Sequence, residues 1–131
     1  MRRDADRIAD IVEAADAALD FAEGRDRSAL DTDRLLEAGL VQKIVVIGEA
    51  AAGLSEAFRR AHPELPCAEI IGMRSVVIHA YWQVDHDELW RTVTDDLPTL
   101  LGLLRPLQSA IETTDDATEG GPGTGDRSDT A

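Results

Sequence analysis

The chain has 131 residues, enough for one domain, and its 44% hydrophobic but only 4% aromatic composition favours a helical core over an all-β sandwich or barrel. Its 13 basic and 26 acidic residues give a net charge of −13, which argues against a protein that coats nucleic acid by neutralising many phosphates. The single cysteine, Cys67, excludes an internal disulfide framework and a cysteine-based zinc knuckle.

Four segments carry apolar residues at the three- and four-residue spacing of amphipathic helices. Gly24 lies where the first of them ends, and a short polar connection follows it. Asp85 is positioned as the N-cap of the fourth segment, and Pro98 inside that segment predicts a kink or a restart of the helix. The predicted helices span about 4–23, 32–62, 67–81 and 86–110.

The predicted helices together indicate an all-α fold, an up-and-down bundle of four to five helices that occupies residues 1–111. Residues 112–131 are acidic and lack a hydrophobic pattern, so they are predicted to form a disordered tail. The N-terminus is polar from the start and no apolar run approaches the ~20 residues of a membrane span. A cytoplasmic protein with no membrane association is the expectation.

One segment, residues 72–82, carries side chains that could perform chemistry. On the predicted third helix Ser75 and His79 share a face, while Arg74 lies about 140° from His79 around the helix axis. The long arginine arm can fold towards His79, and two copies of the segment facing each other would converge more easily. Arginine grips phosphate and histidine moves a proton near neutral pH, so the pair is a minimal apparatus for cleaving a phosphodiester without a metal.

Structural interpretations of the same residues stand beside the catalytic one. A lone Arg74 and His79 on a helix are more often a surface or interface pair than a catalytic pair. Tyr81 and Trp82 would by default be core or interface aromatics. Glu49 lies in an apolar stretch, where it is either a carboxylate at a helix–helix contact or an acid near the arginine–histidine site.

The spacing Arg74-x4-His79-x-Tyr81 resembles the signature of HepT toxins, a branch of the HEPN superfamily. The resemblance covers roughly residues 4–107, with the surrounding segments in the expected order and with the expected gaps. Those segments are residues 47–51, 54–55, 62–66, 69–74, 84–85, 90 and 96–98.

The resemblance implies a compact helical bundle that forms homodimers and acts as a metal-independent endoribonuclease toxin on RNA. It implies that Arg74 and His79 of each protomer line a cleft between the two protomers. It also implies a partner, a minimal nucleotidyltransferase antitoxin of the MntA type that adenylylates Tyr81 and thereby blocks the toxin. ATP would then be a substrate of the antitoxin, and this chain would need neither a cofactor nor a metal.

The chain departs from the family pattern at Ser75, where the family usually has Asn after the motif arginine. A serine offers one short hydroxyl in place of an amide donor and acceptor, so Ser75 is expected to be accessory at best. Glu49 is likewise expected to be accessory at best. The dimer is predicted to bury Met73, Val77 or Trp82 against a second copy. The competing hypothesis, favoured by Ser75 and by the acidic surface, is a non-catalytic helical module that scaffolds or regulates a nucleotidyltransferase.

Overall fold

The computed structural model describes residues 3–79 and 83–119. The π turn Thr92–Asp96 joins the last two of the six described α-helices into one continuous helical rod. The described α-helices therefore form five separate rods. A short 3-10 helix, Arg27–Asp31, occupies the predicted polar connection. The helices are α1 (Asp4–Ala22), α2 (Arg34–Ala52), α3 (Glu56–Ala61), α4 (Cys67–Val77), α5 (His86–Arg91) and α6 (Leu97–Glu119).

The predicted all-α helical bundle is confirmed. α1 packs against α2 and α6, and α2 also packs against α4, so the core lies between these four helices. Branched aliphatic side chains fill it at the three- and four-residue spacing of each helix, which removes their apolar surface from water. Fully buried examples are Ile8, Ile11, Leu40, Ile44, Ile47, Ile70, Leu97 and Leu104.

The prediction of one continuous helix over 32–62 is wrong. α2 ends at Ala52 with Gly53 as its C-cap, and Ser55 then caps α3, where its hydroxyl accepts the Phe58 N–H at 3.0 Å. The Asp4 carboxylate holds this turn, because it accepts the Ser55 N–H at 2.8 Å and the Ser55 hydroxyl at 2.7 Å. The break is therefore fixed by a residue 51 positions away, which helical periodicity cannot indicate.

The expected disturbance at Pro98 is present one turn earlier. The Leu97 N–H bonds to the Thr92 carbonyl, five residues back, and this π turn restarts the hydrogen-bond ladder just before the proline.

The last helix is longer than predicted, because its backbone stays helical to Glu119 and so includes the first eight residues of the predicted tail. No glycine or proline interrupts residues 107–119, and the first glycine afterwards is Gly120. The rest of that predicted tail, residues 120–131, lies outside the described residues. Within the part of the chain that the structure describes, no helix is long and apolar enough to cross a bilayer.

Candidate functional site

Helix α4 carries the motif arginine and is seated directly on α2. A methyl group placed on Gly48 of α2 would lie 3.4 Å from the Ile71 carbonyl oxygen, so the two helices approach each other at a position that lacks a side chain. On the same side of α4, Ile70 and Val77 are 1% and 0% exposed. These contacts fix the distance and direction of α4, the helix that carries Arg74, relative to α2.

Helix α4 ends at Val77, two residues before His79, so the prediction that Ser75 and His79 share a helix face is wrong. Ile78 is extended instead, and it forms an antiparallel bridge with Val84. The two bridged segments are called the hairpin, and residues 80–82 between them lie outside the described residues. β-branched residues favour this extended backbone over a further helical turn.

Two further backbone hydrogen bonds close the hairpin. The His79 N–H donates to the Gln83 carbonyl at 2.7 Å, and the Asp85 N–H donates to the Val77 carbonyl at 2.8 Å. The hairpin therefore sets His79 beside Asp85.

The His79 imidazole is half-exposed and contacts one carboxylate oxygen of Asp85, with 3.4 Å between Nε2 and Oδ2. The other oxygen of Asp85 accepts the Glu88 N–H at 3.1 Å, which makes Asp85 the N-cap of α5, as predicted. The Glu88 N–H, followed by the imidazole of His79, holds the pKa of Asp85 below its ordinary value. Asp85 is therefore a carboxylate that touches both a helix end and the motif histidine.

The remaining motif residues are placed as follows. Arg74 is exposed in the last turn of α4, and its carbonyl accepts the Ile78 N–H at 2.8 Å, so the hairpin begins on the arginine's own turn. Ser75 is exposed beside it on α4. Glu49 is exposed on α2, next to the glycine that α4 contacts, and its accessory role stays a prediction. Tyr81 lies outside the described residues.

Val77 was among the residues predicted to meet a second copy, and that prediction is wrong because Val77 is fully buried within its own chain. Met73 is half-buried and Val76 is 45% exposed, and both line an open groove of about 500 Å³ between α4 and the rod formed by α5 and α6. Trp82 lies outside the described residues.

Among the described side chains, no group of three or more His, Cys, Asp or Glu residues is arranged to hold a metal ion.

Residues 11–114 match the family described as "Ribonuclease HepT-like". The chain belongs to this family. It is 34% identical over 103 residues to "Probable ribonuclease HepT" of Thermococcus cleftensis, a match that covers 79% of this chain and 94% of that relative. It is 29% identical over 91 residues to "Putative RNase MJ1380" of Methanocaldococcus jannaschii, which covers 70% of this chain and 84% of that protein. No solved structure gives a significant match to the chain.

Membership of the HepT-like family confirms the resemblance found over roughly residues 4–107, and it places the chain among ribonucleases of the HEPN type. The sequence had indicated Asp85 only as a helix cap. Its contact with His79 was missed because His79 was assigned to the third helix, whereas the structure places it in a hairpin beside Asp85. A β-branched pair on one side of the loop and a Val-Asp pair on the other is the signal that could have found it.

Proposed function

We propose that this HepT-like chain is a metal-independent endoribonuclease toxin in which Arg74 and His79 carry the chemistry. The observation that supports the proposal most directly is the half-exposed His79 imidazole, held by Asp85 on a hairpin that starts from the turn of the exposed Arg74. The proposed proton-transfer group and the proposed phosphate-binding cation therefore both lie at the C-terminal end of α4.

The proposed reaction is an internal transesterification of RNA. A ribose 2′-oxygen forms a bond to the adjacent phosphorus while the bond from phosphorus to the 5′-oxygen breaks. His79 takes the 2′-hydroxyl proton or supplies the proton that the leaving 5′-oxygen gains, and water exchanges the other of these two protons. Arg74 stabilises the negative charge on the phosphoryl oxygens. The products are a 2′,3′-cyclic phosphate and a 5′-hydroxyl.

Two substitutions test the assignment of the catalytic residues. His79→Ala and Arg74→Ala should each lower the rate of RNA cleavage in EDTA, with a loss of about 10²- to 10⁴-fold expected for the histidine. Matched controls are His62→Ala and Arg60→Ala, which remove the same side-chain types from the end of α3. Cleavage by His79→Ala at the parental rate, with unchanged helical content by circular dichroism, would rule out this mechanism.

The position after the motif arginine offers a gain-of-function test. Ser75→Asn restores the residue usual in the family on the exposed side of α4, and an amide can both donate to and accept from a phosphate or sugar oxygen. The variant should cleave RNA at the parental rate or faster. A clear loss of activity would contradict an accessory role for Ser75.

We further propose that a second copy of the chain completes the site. The groove lined by Met73 and Val76 leaves apolar surface on the same helix as Arg74, and apolar surface of this kind favours contact with another protein. Light scattering should give the mass of a homodimer at micromolar concentration. A mass near that of one chain would contradict the proposal.

Control by a partner is the third component of the proposal. Tyr81 is two residues from His79, so an adenylate on its hydroxyl would add bulk and at least one negative charge beside the substrate phosphate. Co-expression with an MntA-type nucleotidyltransferase and ATP should add the mass of adenylate to the parent chain but not to Tyr81→Phe. An unmodified parent chain in the presence of an active partner would favour inhibition by binding alone.

The net charge of −13 favours a second candidate, a non-catalytic module that scaffolds a nucleotidyltransferase, because a strongly acidic surface repels RNA. Growth and RNA integrity separate the two candidates. A toxin should arrest growth and cleave RNA when it is expressed alone, and the partner should relieve both effects. A module should do neither, while still forming a complex with the partner.

A further inference from the structure

We infer that Asp85 is a positioning residue for His79, and that it leaves the imidazole nitrogen facing away from Asp85 to exchange the proton with RNA. The inference rests on the proposed function and concerns a residue outside the Arg-His-Tyr motif. It starts from the contact of 3.4 Å between His79 Nε2 and Asp85 Oδ2.

Two hydrogen bonds hold Asp85 in place. The backbone N–H of Asp85 donates to the Val77 carbonyl at 2.8 Å, and the carboxylate oxygen Oδ1 accepts the Glu88 N–H at 3.1 Å. Only Oδ2 is directed at His79. A carboxylate fixed by the hairpin and by the start of α5 therefore gives the histidine a fixed partner.

The backbone of His79 is fixed as well, since its N–H donates to the Gln83 carbonyl at 2.7 Å. The side chain is 52% exposed, so few packing contacts restrict the rotation of the ring. Among the described residues, the hydrogen bond to Asp85 is then the interaction that selects one ring orientation and one tautomer.

The chemical consequence follows from the two ring nitrogens. When Nε2–H donates to Asp85, Nδ1 carries the lone pair and can accept the proton of a 2′-hydroxyl. The negative charge of Asp85 then stabilises the imidazolium that forms, without taking the proton itself. A contact of 3.4 Å is at the long end for a hydrogen bond, as is common in active sites without substrate, and it should shorten as the imidazolium forms.

Substitution of Asp85 by serine separates the two roles of this residue. Serine is a good N-cap, so Asp85→Ser should keep the start of α5, but its short hydroxyl does not reach the imidazole. Asp33→Ser is the matched control. Asp33 caps α2 by accepting the Leu36 N–H at 3.0 Å, and its side chain is 35% exposed, like that of Asp85. The control therefore makes the same change of charge at a cap that holds no histidine.

The expected result is a loss of about tenfold in kcat for Asp85→Ser, with KM within about twofold of the parent, and no such loss for Asp33→Ser. Asp85→Glu keeps a carboxylate that can accept from the imidazole, so it should recover part of the kcat that Asp85→Ser loses. Arg74, the cation at the adjacent end of α4, is present in all these variants and does not contribute to the difference. A pure capping role would leave kcat unchanged in Asp85→Ser.

Nitrogen-15 NMR of the His79 ring gives a readout that does not need activity, because the chemical shifts of the two ring nitrogens report which of them carries the proton. The neutral ring should carry its proton on Nε2 in the parent and in Asp33→Ser, and Asp85→Ser should give a mixture of the two tautomers. Parental kcat and an unchanged tautomer in Asp85→Ser would overturn the inference while His79→Ala still tests the proposed function. If the parent chain cleaves no RNA, the proposed function fails, and a tautomer that changes in Asp85→Ser alone still supports the contact between Asp85 and His79.

Discussion

The contact between α2 and α4 can be tested at Gly48, because this glycine sets the distance at which the helix carrying Arg74 is held. A Cβ at this position would lie 3.4 Å and 3.7 Å from the carbonyl oxygens of Ile71 and Ile70. These distances are ordinary van der Waals contact for one methyl group. They leave no space for the next carbon, about 1.5 Å further out, because a helical carbonyl cannot rotate aside as a side chain can.

Two substitutions at Gly48 should therefore have opposite effects on the free energy of unfolding. Gly48→Ala should raise it by about 0.5–1 kcal/mol, since alanine costs less conformational entropy in a helix and its methyl group fits. Gly48→Val should gain only a few tenths of a kcal/mol from helix propensity, and overpacking against the carbonyl oxygens should lower its stability by about 1–3 kcal/mol. Valine should then be less stable than alanine by about 1.5–3.5 kcal/mol.

Gly102 on α6 provides the matched control, because it is exposed and a Cβ there would meet nothing within 4 Å. Alanine and valine at Gly102 should differ only by helix propensity, about 0.5 kcal/mol. Urea unfolding followed by circular dichroism, at one protein concentration for all five chains, measures these differences as shifts of the midpoint at constant m-value. An alanine–valine difference at Gly48 no larger than that at Gly102 would refute the proposed close contact.

Two further predictions concern polar contacts between elements. The hydrogen bonds that the His86 ring donates to Asp31, at 3.0 Å, and to Glu37, at 3.2 Å, raise the pKa of His86 above its ordinary value. The contribution of protonated His86 to stability is therefore complete below the unfolded pKa of about 6.5, and it is lost as the pH rises through the folded pKa. His86→Asn should lower the free energy of unfolding by about 1 kcal/mol or less at pH 5.5, and by a smaller amount at pH 9. An equal difference in urea midpoint at both pH values would contradict this sign. Ser55→Ala removes the cap of α3 and the hydroxyl bond to Asp4, so it should lower the free energy of unfolding by about 1–2 kcal/mol, whereas Ser55→Thr should keep most of it. Thermal melts of the two Ser55 variants that coincide would count against the cap.

Local sequence was enough to predict most of the helices of this protein. The starts of α1, α4 and α5 lie within one or two residues of their predicted positions, because apolar spacing and an N-cap such as Asp85 act within one or two helical turns. The motif of Arg74, His79 and Tyr81, together with the ordered segments around it over roughly residues 4–107, likewise indicated the family without any knowledge of the fold, and the family is confirmed.

Tertiary structure decided the features that depend on residues far apart in the chain. The helix predicted over 32–62 divides where Asp4 holds Ser55. His79 leaves the helix because a hairpin pairs it with the chain before α5, and this pairing rather than helical spacing brings it to Asp85. Helical periodicity records only which residues share a face three or four positions apart, whereas these contacts depend on how separate elements pack against each other.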